Sequence, residues 1–294
     1  EWQAYKLLKL PRIIRSFRPD IMQSFLDFDN FVARVFGAIH RVPTVISGQR
    51  NANPFRSRLR ALLDKATFGL MDIIVANTQR GADYYADLGV HQRKLVVVHN
   101  AAPQPKAPAD QTLRSDTADI ASCTIAHAGT QKGLDILLEA VAEVRASGVN
   151  WHAYVMGDMR ENNQLIQRTK ELGLEEAVHW LGLVPDASTY ISQFDCFVLS
   201  SRWEGMPNVV MEAMQAKTPV IATEVGGVRG LLPDEAYGWV VKPNSQSIAQ
   251  GILNFMKASQ EEIAQKTTKS YKHITQHFSV DAIIEKWLDL YHRL

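Results

Sequence analysis

Short apolar runs rich in β-branched residues recur along this chain, each followed by a stretch with helical periodicity. DIMQSF (20–25), VPTVIS (42–47), MDIIVANT (71–78) and KLVVVHN (94–100) form a first set. CTIAHA (123–128), WHAYVMG (151–157), VHWLGL (178–183), CFVLSS (196–201), TPVIATE (218–224) and GWVVKP (238–243) form a second. Helical patterns occupy about 28–40, 56–70 and 79–88, fill the gaps of the second set, and close the chain over 245–277 and 280–294. Strands separated by helices cannot pair through tight hairpins, so this alternation predicts βαβ units and parallel pairing. Near-continuous apolar runs point to strands covered on both faces. The fold class is α/β, built from doubly wound parallel sheets.

Between the two sets, AAPQPKAPADQTLRSDTAD (101–119) is proline-rich and carries almost no large apolar residue, as a linker does. The charge balance reverses at the same place. Residues 1–104 hold 15 of the 32 Lys and Arg and 8 of the 31 Asp and Glu, a balance of +7; the remaining 17 and 23 give −6. The net +1 thus hides either two units with different partners or ordinary surface variation. The expected organisation is an N-terminal domain over 1–104, a linker over 105–120, a second domain over 121–278, and a C-terminal helix over 279–294 that packs back on the first domain. The opening YKLLKLPRIIRSF reads as the middle of a protein, so the first domain is expected to lack its beginning.

A content of 46% hydrophobic and 21% charged residues is globular and excludes a disordered chain. No apolar stretch approaches the roughly 18 residues that a membrane span needs. Cys123 and Cys196 fall in apolar strand runs and are expected as buried thiols in a reducing, cytoplasmic setting. No CxxC pair points to a structural metal.

The most informative junction is CFVLSSRWEGMPNVVMEAMQAK (196–217), where a buried strand feeds a proline-started helix. Open α/β sheets bind ligands at the carboxyl ends of their strands. Pro207 suits a helix start because it lacks an N–H, and the N–H groups that follow form an anion site. Gly205 allows close approach to the backbone. Glu204 and Glu212 flank the turn, and carboxylates bind sugar hydroxyls through charge-assisted hydrogen bonds. The spacing suits a ligand with phosphates in the middle and a sugar at each end. The plainer alternative makes Glu204 a loop carboxylate and Glu212 a helix-surface or capping residue.

FVLSSRWEGMPNVVMEAMQAKTPVIATEVGGVRGLL resembles the donor-site segment of the family 4 retaining glycosyltransferases, whose E-x7-E signature is matched by Glu204 and Glu212. QKGLDILLEAVAEV (131–144), YVMGD (154–158), VHWLGLVPD (178–186), GWVVKP (238–243), RPDIMQSF (18–25) and IIVANTQRGADYY (73–85) extend the likeness over nearly the whole chain. The resemblance implies a GT-B fold, two Rossmann-like domains facing a cleft, with the first incomplete here. It implies that Glu204 contacts the donor sugar, Glu212 the ribose hydroxyls, and Gly205, Met206, Pro207 and Asn208 the sugar and phosphates. Lys132 matches the lysine that neutralises the diphosphate as it leaves. His127 stands where the family usually carries an arginine. It brings fewer donors and no permanent charge, so it either substitutes in part or is a buried histidine at a strand end. The histidine common after the RPDI strand is absent; Gln23, Asp27 and Asp29 are the polar residues there. Arg50 and Asn51 are candidates for the acceptor side together with Asp27, and no metal role is assigned to the DFD triplet.

The expected activity is transfer of a hexose-type sugar from a nucleotide-diphosphate sugar to a glycan or lipid-linked acceptor, in polysaccharide or lipopolysaccharide biosynthesis, with no cofactor and no metal. The competing reading is a non-catalytic, nucleotide-sugar-binding relative. KLLKLPRIIRSF and NPFRSRLRALLDK pair basic with apolar residues, which fits peripheral contact with an anionic membrane at its inner face, or an amphipathic face packed on the sheet. Nothing points to nucleic acid.

Overall fold

The computed structural model describes residues 4–50, 58–114, 120–158 and 163–294. The chain forms two compact units, one made of residues up to His99 with Ile284–Leu294, the other of Asn100–Ile283.

In the first unit, β1 (Ile21–Ser24), β2 (Thr44–Gln49), β3 (Ile73–Ala76) and β4 (Leu95–Val97) form a parallel sheet in sequence order. The helices are α1 (Leu10–Phe17), α2 (Asp27–His40), α3 (Arg58–Ala66) and α4 (Gln79–Asp87). Thr78 caps α4 by accepting from the Gly81 N–H at 3.0 Å, which explains why the helix starts where the strand run ends. A buried ionic network lies beneath the sheet. Arg34, fully buried on α2, donates to Ser47 Oγ at 2.9 Å and pairs with the Asp64 carboxylate, whose Oδ2 accepts from the Tyr85 hydroxyl at 3.1 Å. A buried guanidinium needs such partners, because stranding the charge would cost several kcal/mol, on the order of 3–5. Within this unit, the C-terminal residues supply Trp287, edge-on to Phe25, and Tyr291, whose hydroxyl donates to Gln23 Oε1 at 2.6 Å.

In the second unit, β5 (Ile120–Ile125), β6 (Trp151–Met156), β7 (Val178–Gly182), β8 (Cys196–Leu199), β9 (Val220–Thr223) and β10 (Trp239–Val241) form one parallel sheet of order β10-β9-β8-β5-β6-β7. Its helices are α5 (Leu134–Ala146), α6 (Asn163–Glu171), α7 (Asn208–Gln215), α8 (Val228–Leu231), α9 (Ser245–Lys257), α10 (Gln260–His277) and the start of α11 (Val280–His292). The pleat sends alternate residues to opposite faces. On β8, Phe197 and Leu199 join one core with Tyr154, Met211 and Leu231, while Cys196 and Val198 join the other with Leu138, Val141 and Ile248. Both faces are covered, which is why these strands read as unbroken apolar runs. Burial pushes the Cys123 and Cys196 thiols up.

Two details differ from the sequence expectation. The pattern over 245–277 is two helices, because Ser259 is extended and caps α10 by accepting from the Glu262 N–H at 3.1 Å. Residues 100–114, expected to open a linker, are laid along the second unit: Ala102 N–H donates to Phe278 O at 2.7 Å and Ala109 N–H to Thr189 O at 3.1 Å. Among the described residues, no helix is long and apolar enough to cross a membrane.

Candidate active site

The second sheet changes direction once. The chain winds from β5 through β6 to β7, then returns to lay β8 on the other side of β5. At such a switch point the loops after two neighbouring strands diverge and leave a crevice at their carboxyl ends. The turn after β5 carries His127, Gln131 and Lys132, and the turn after β8 carries Ser201 to Pro207.

The two turns meet in an ion pair. Lys132 Nζ lies 2.8 Å from Glu204 Oε1, and both side chains are largely buried, 17% and 9% exposed. The same Glu204 oxygen accepts from Ser201 Oγ at 2.7 Å, and Oε2 from Gln131 Nε2 at 3.3 Å. The resemblance implies phosphates for Lys132 and the sugar for Glu204; in the structure the two side chains pair with each other. Gln131 escaped sequence reasoning because its bond to Glu204 forms only once β5 and β8 are neighbours; Ser201, three residues before Glu204, is a local partner that the motif did not single out.

Backbone contacts fix the turns. Gly133 has φ +62°, and a Cβ there would lie 2.2 Å from Ser200 O. Gly226, at φ +50° in the turn after β9, would place a Cβ 2.2 Å from Glu204 O and 2.3 Å from Gly205 O. The Gly227 N–H donates to Gly205 O at 2.6 Å. Glycine is required at both positions, for conformation and for space.

Gly205, Met206 and Pro207 are buried in the turn, and Asn208, the first residue of α7, is exposed. Pro207 immediately precedes α7 rather than opening it, and no described side chain caps that helix. Asn100 Nδ2 donates to Asn208 Oδ1 at 3.4 Å. His127 is exposed, with its ring edge against Gly129, so it is not the buried strand-end histidine considered above.

Glu212 faces elsewhere. It lines a hollow of about 220 Å³ with Lys106, Ser188, Thr189, Ser192 and Gln215, and neither Lys132 nor Glu204 lines that hollow. Burial holds its carboxyl above the ordinary range, with Lys106 opposing that shift. The walls of the hollow are partly apolar, with Pro105, Pro108 and Ala216, and carry one carboxylate acceptor and three hydroxyls, groups suited to a hydroxylated ligand.

The acceptor-side candidates lie in the first unit. Arg50 stacks over the Phe25 ring at 4.7 Å, and desolvation lowers its pKa. Asp27 and Asp29 sit in the first turn of α2, where carboxylates offset the helix dipole. Asn51 lies outside the described residues. Among the described residues, no group of three or more His, Cys, Asp or Glu could hold a metal ion. His273 and His277 share a helix face, yet His273 Nε2 bonds to Gly230 O at 3.1 Å and its ring packs on Tyr237.

Residues 106–273 match the family model described as glycosyl transferases group 1, and residues 2–103 match the model for glycosyltransferase family 4. The lipopolysaccharide core biosynthesis glycosyltransferase LpsE of Rhizobium meliloti is 28% identical over 74% of this chain and 64% of its own. The N-acetylgalactosamine-N,N'-diacetylbacillosaminyl-diphospho-undecaprenol 4-alpha-N-acetylgalactosaminyltransferase of Campylobacter jejuni is 25% identical over 91% of this chain and 76% of its own. The crystal structure of Anabaena Alr3699/HepE in complex with UDP superposes with a TM-score of 0.84 at 19% identity, covering 98% of this chain and 82% of that one. At that identity the superposition speaks for the fold, which is GT-B. With more than half of its residues inside the group 1 model, the chain belongs to the glycosyl transferases group 1 family.

Proposed function

We propose that this chain is a retaining glycosyltransferase that moves a hexose-type sugar from a nucleotide-diphosphate sugar to a glycan or lipid-linked acceptor. The observation that carries this reading is the Lys132–Glu204 pair at the switch point of the second sheet, beside the uncapped start of α7. Lys132 and the α7 N–H groups would receive the diphosphate, Glu204 the sugar hydroxyls, and Glu212 the ribose, within its hydroxyl-lined hollow. In the reaction the bond from the anomeric carbon to the phosphate oxygen breaks and its electron pair leaves with the diphosphate. The acceptor hydroxyl forms the new bond on the same face, and its proton passes to the departing phosphate. The protein contributes positioning, and a fixed cation where negative charge builds. No cofactor or metal is assigned to this chemistry. The UDP in the Anabaena complex and the diphospho-undecaprenol in the Campylobacter name support the donor and acceptor classes.

A second reading, a nucleotide-sugar-binding relative without turnover, is favoured by His127 in place of a charged guanidinium. A product assay separates the two. Peripheral contact with anionic lipid at the cytoplasmic membrane face is part of the proposal. On α1 and the turn before it, Leu8, Ile13 and Phe17 are 82%, 56% and 78% exposed beside Lys9, Arg12 and Arg15. This is an amphipathic surface not packed on the sheet. Cosedimentation with anionic but not zwitterionic vesicles is expected. The deciding experiment is calorimetric titration with UDP, GDP and ADP, with Glu212→Ala as control. One nucleotide should bind and the variant should lose it; no binding to any would refute the donor reading.

A further inference from the structure

The Lys132 and Glu204 turns are joined along their whole length. Arg202 N–H donates to Gln131 O at 2.7 Å, Gln131 Nε2 to Trp203 O at 3.0 Å, and Ser200 Oγ to Lys132 O at 2.8 Å. One more side chain spans the two turns. The Arg202 guanidinium donates to Thr130 O at 3.0 Å and grips the Asp135 carboxylate with both of its terminal nitrogens, Nη1 to Oδ1 at 2.7 Å and Nη2 to Oδ2. Asp135 lies in the first turn of α5, just after the turn that carries Lys132. The partnership is reciprocal in its electrostatics: Arg202 holds the Asp135 carboxyl below its ordinary value, and Asp135 raises Arg202.

We propose that Arg202 is a positioning residue: by clamping Thr130 and Asp135 it fixes the Lys132 turn against the Glu204 turn, and so sets where the cation stands relative to the sugar carboxylate. The functional part of this inference rests on the donor-site reading above. The pair is a poor candidate for a purely stabilising role. Its side chains are 29% and 53% exposed, and ion pairs so open to water contribute little to global stability. What a planar fork supplies is geometry, since a guanidinium can hold a carboxylate and a carbonyl in one plane. Two loops that must present opposite charges to one ligand gain from such a fixed spacing.

The test compares the unaltered chain with Arg202→Gln, Asp135→Asn, their double variant and Arg202→Lys. The first readout is the rate at which Lys132 is acylated by an amine-reactive ester, followed by mass spectrometry, with exposed Lys242 as internal reference. The second is hydrogen exchange over residues 129–133. The third is affinity for UDP, GDP and ADP. Arg202→Gln and Asp135→Asn should each speed Lys132 labelling and turn exchange several-fold, leave Lys242 and the melting temperature unchanged, and weaken nucleotide binding about five- to tenfold. The double variant should be no worse than either single one. Arg202→Lys should restore only part, because an ammonium cannot make the fork. Unchanged Lys132 labelling in Arg202→Gln, or equal acceleration of every lysine, would overturn the proposal. If the unaltered chain binds no nucleotide, the donor reading fails on that arm, while labelling and exchange still decide whether Arg202 holds the turn.

Discussion

Replacing Glu204 with glutamine separates its observed pairing with Lys132 from its proposed contact with the donor sugar. Glu204 binds Lys132 at 2.8 Å while also accepting from Ser201 and Gln131. If Lys132 is the cation for a diphosphate, an incoming nucleotide must draw it away from Glu204. A hydrogen bond to a charged partner contributes about 1.5–3 kcal/mol net. Both side chains here are mostly buried, so solvent screening reduces that figure only modestly. Glutamine keeps the shape and the acceptor oxygen but removes the charge. Returning about half of the interaction to the ligand would tighten a free nucleoside diphosphate about four- to tenfold. The sugar nucleotide should not gain equally, because the neutral amide is a weaker acceptor for sugar hydroxyls than the carboxylate. The measurement is calorimetry of UDP and UDP-glucose against both chains. A fall in UDP affinity in Glu204→Gln would show that Glu204 does not compete with the diphosphate. Equal changes for both ligands would remove Glu204 from the sugar subsite.

Glu212 is held above its ordinary value by burial, so the folded chain keeps this proton to higher pH than the unfolded chain, and stability falls as pH rises through that interval. Glu212→Gln should therefore raise the melting temperature more at pH 7 than at pH 4, and a uniform shift would refute this. The same variant should weaken nucleotide binding by about 1.5–3 kcal/mol through the lost ribose contacts, read by titration; undiminished affinity would remove Glu212 from that subsite. Gly226→Ala should cost about 2–5 kcal/mol, combining left-handed backbone strain with a Cβ driven into Glu204 O and Gly205 O, and nucleotide binding should fall with it; an unchanged melting temperature would contradict the packing argument. His127→Arg should tighten diphosphate binding without loss of stability, because the exposed ring site can admit a guanidinium; no gain in affinity would place position 127 away from the phosphates.

The strands were legible because parallel sheets covered on both faces need apolar residues at every position, and CFVLSS shows this most plainly. The sequence also carried Glu204 and Glu212 as candidates, since a carboxylate–turn–helix junction is local, whereas Lys132 entered only through the family resemblance. The break between α9 and α10 was missed because only two extended residues, Ala258 and Ser259, interrupt an otherwise continuous helical pattern. The pairing of Lys132 with Glu204 was not legible at all. The two residues are 72 positions apart, and they meet only because β8 returns beside β5, an order that periodicity does not encode. Gln131 and Arg202 were hidden for the same reason, since each acts through a bond whose partner is fixed by the topology; Ser201, three residues before Glu204, is a local partner that the motif did not single out.

The interlock of these turns bears on how such a site can work. Gly133 presses on Ser200, Gly226 presses on Glu204 and Gly205, and neither position has room for a methyl group. Close-packed backbone of this kind resists small displacements, so the spacing between Lys132 and Glu204 is set before any ligand arrives. On the donor reading, only the Lys132 side chain then has to shift from Glu204 to a bound diphosphate, where it stabilises the charge that appears during reaction. The Arg202–Asp135 pair adds to this fixing from the partly exposed rim, where His127 is open to solvent. Substitutions there should tune affinity and leave folding intact, whereas substitutions at the interlocked glycines should lower both together. That division follows from the packing alone, so a rim variant that unfolds the chain, or a glycine variant that alters binding without loss of stability, would count against it.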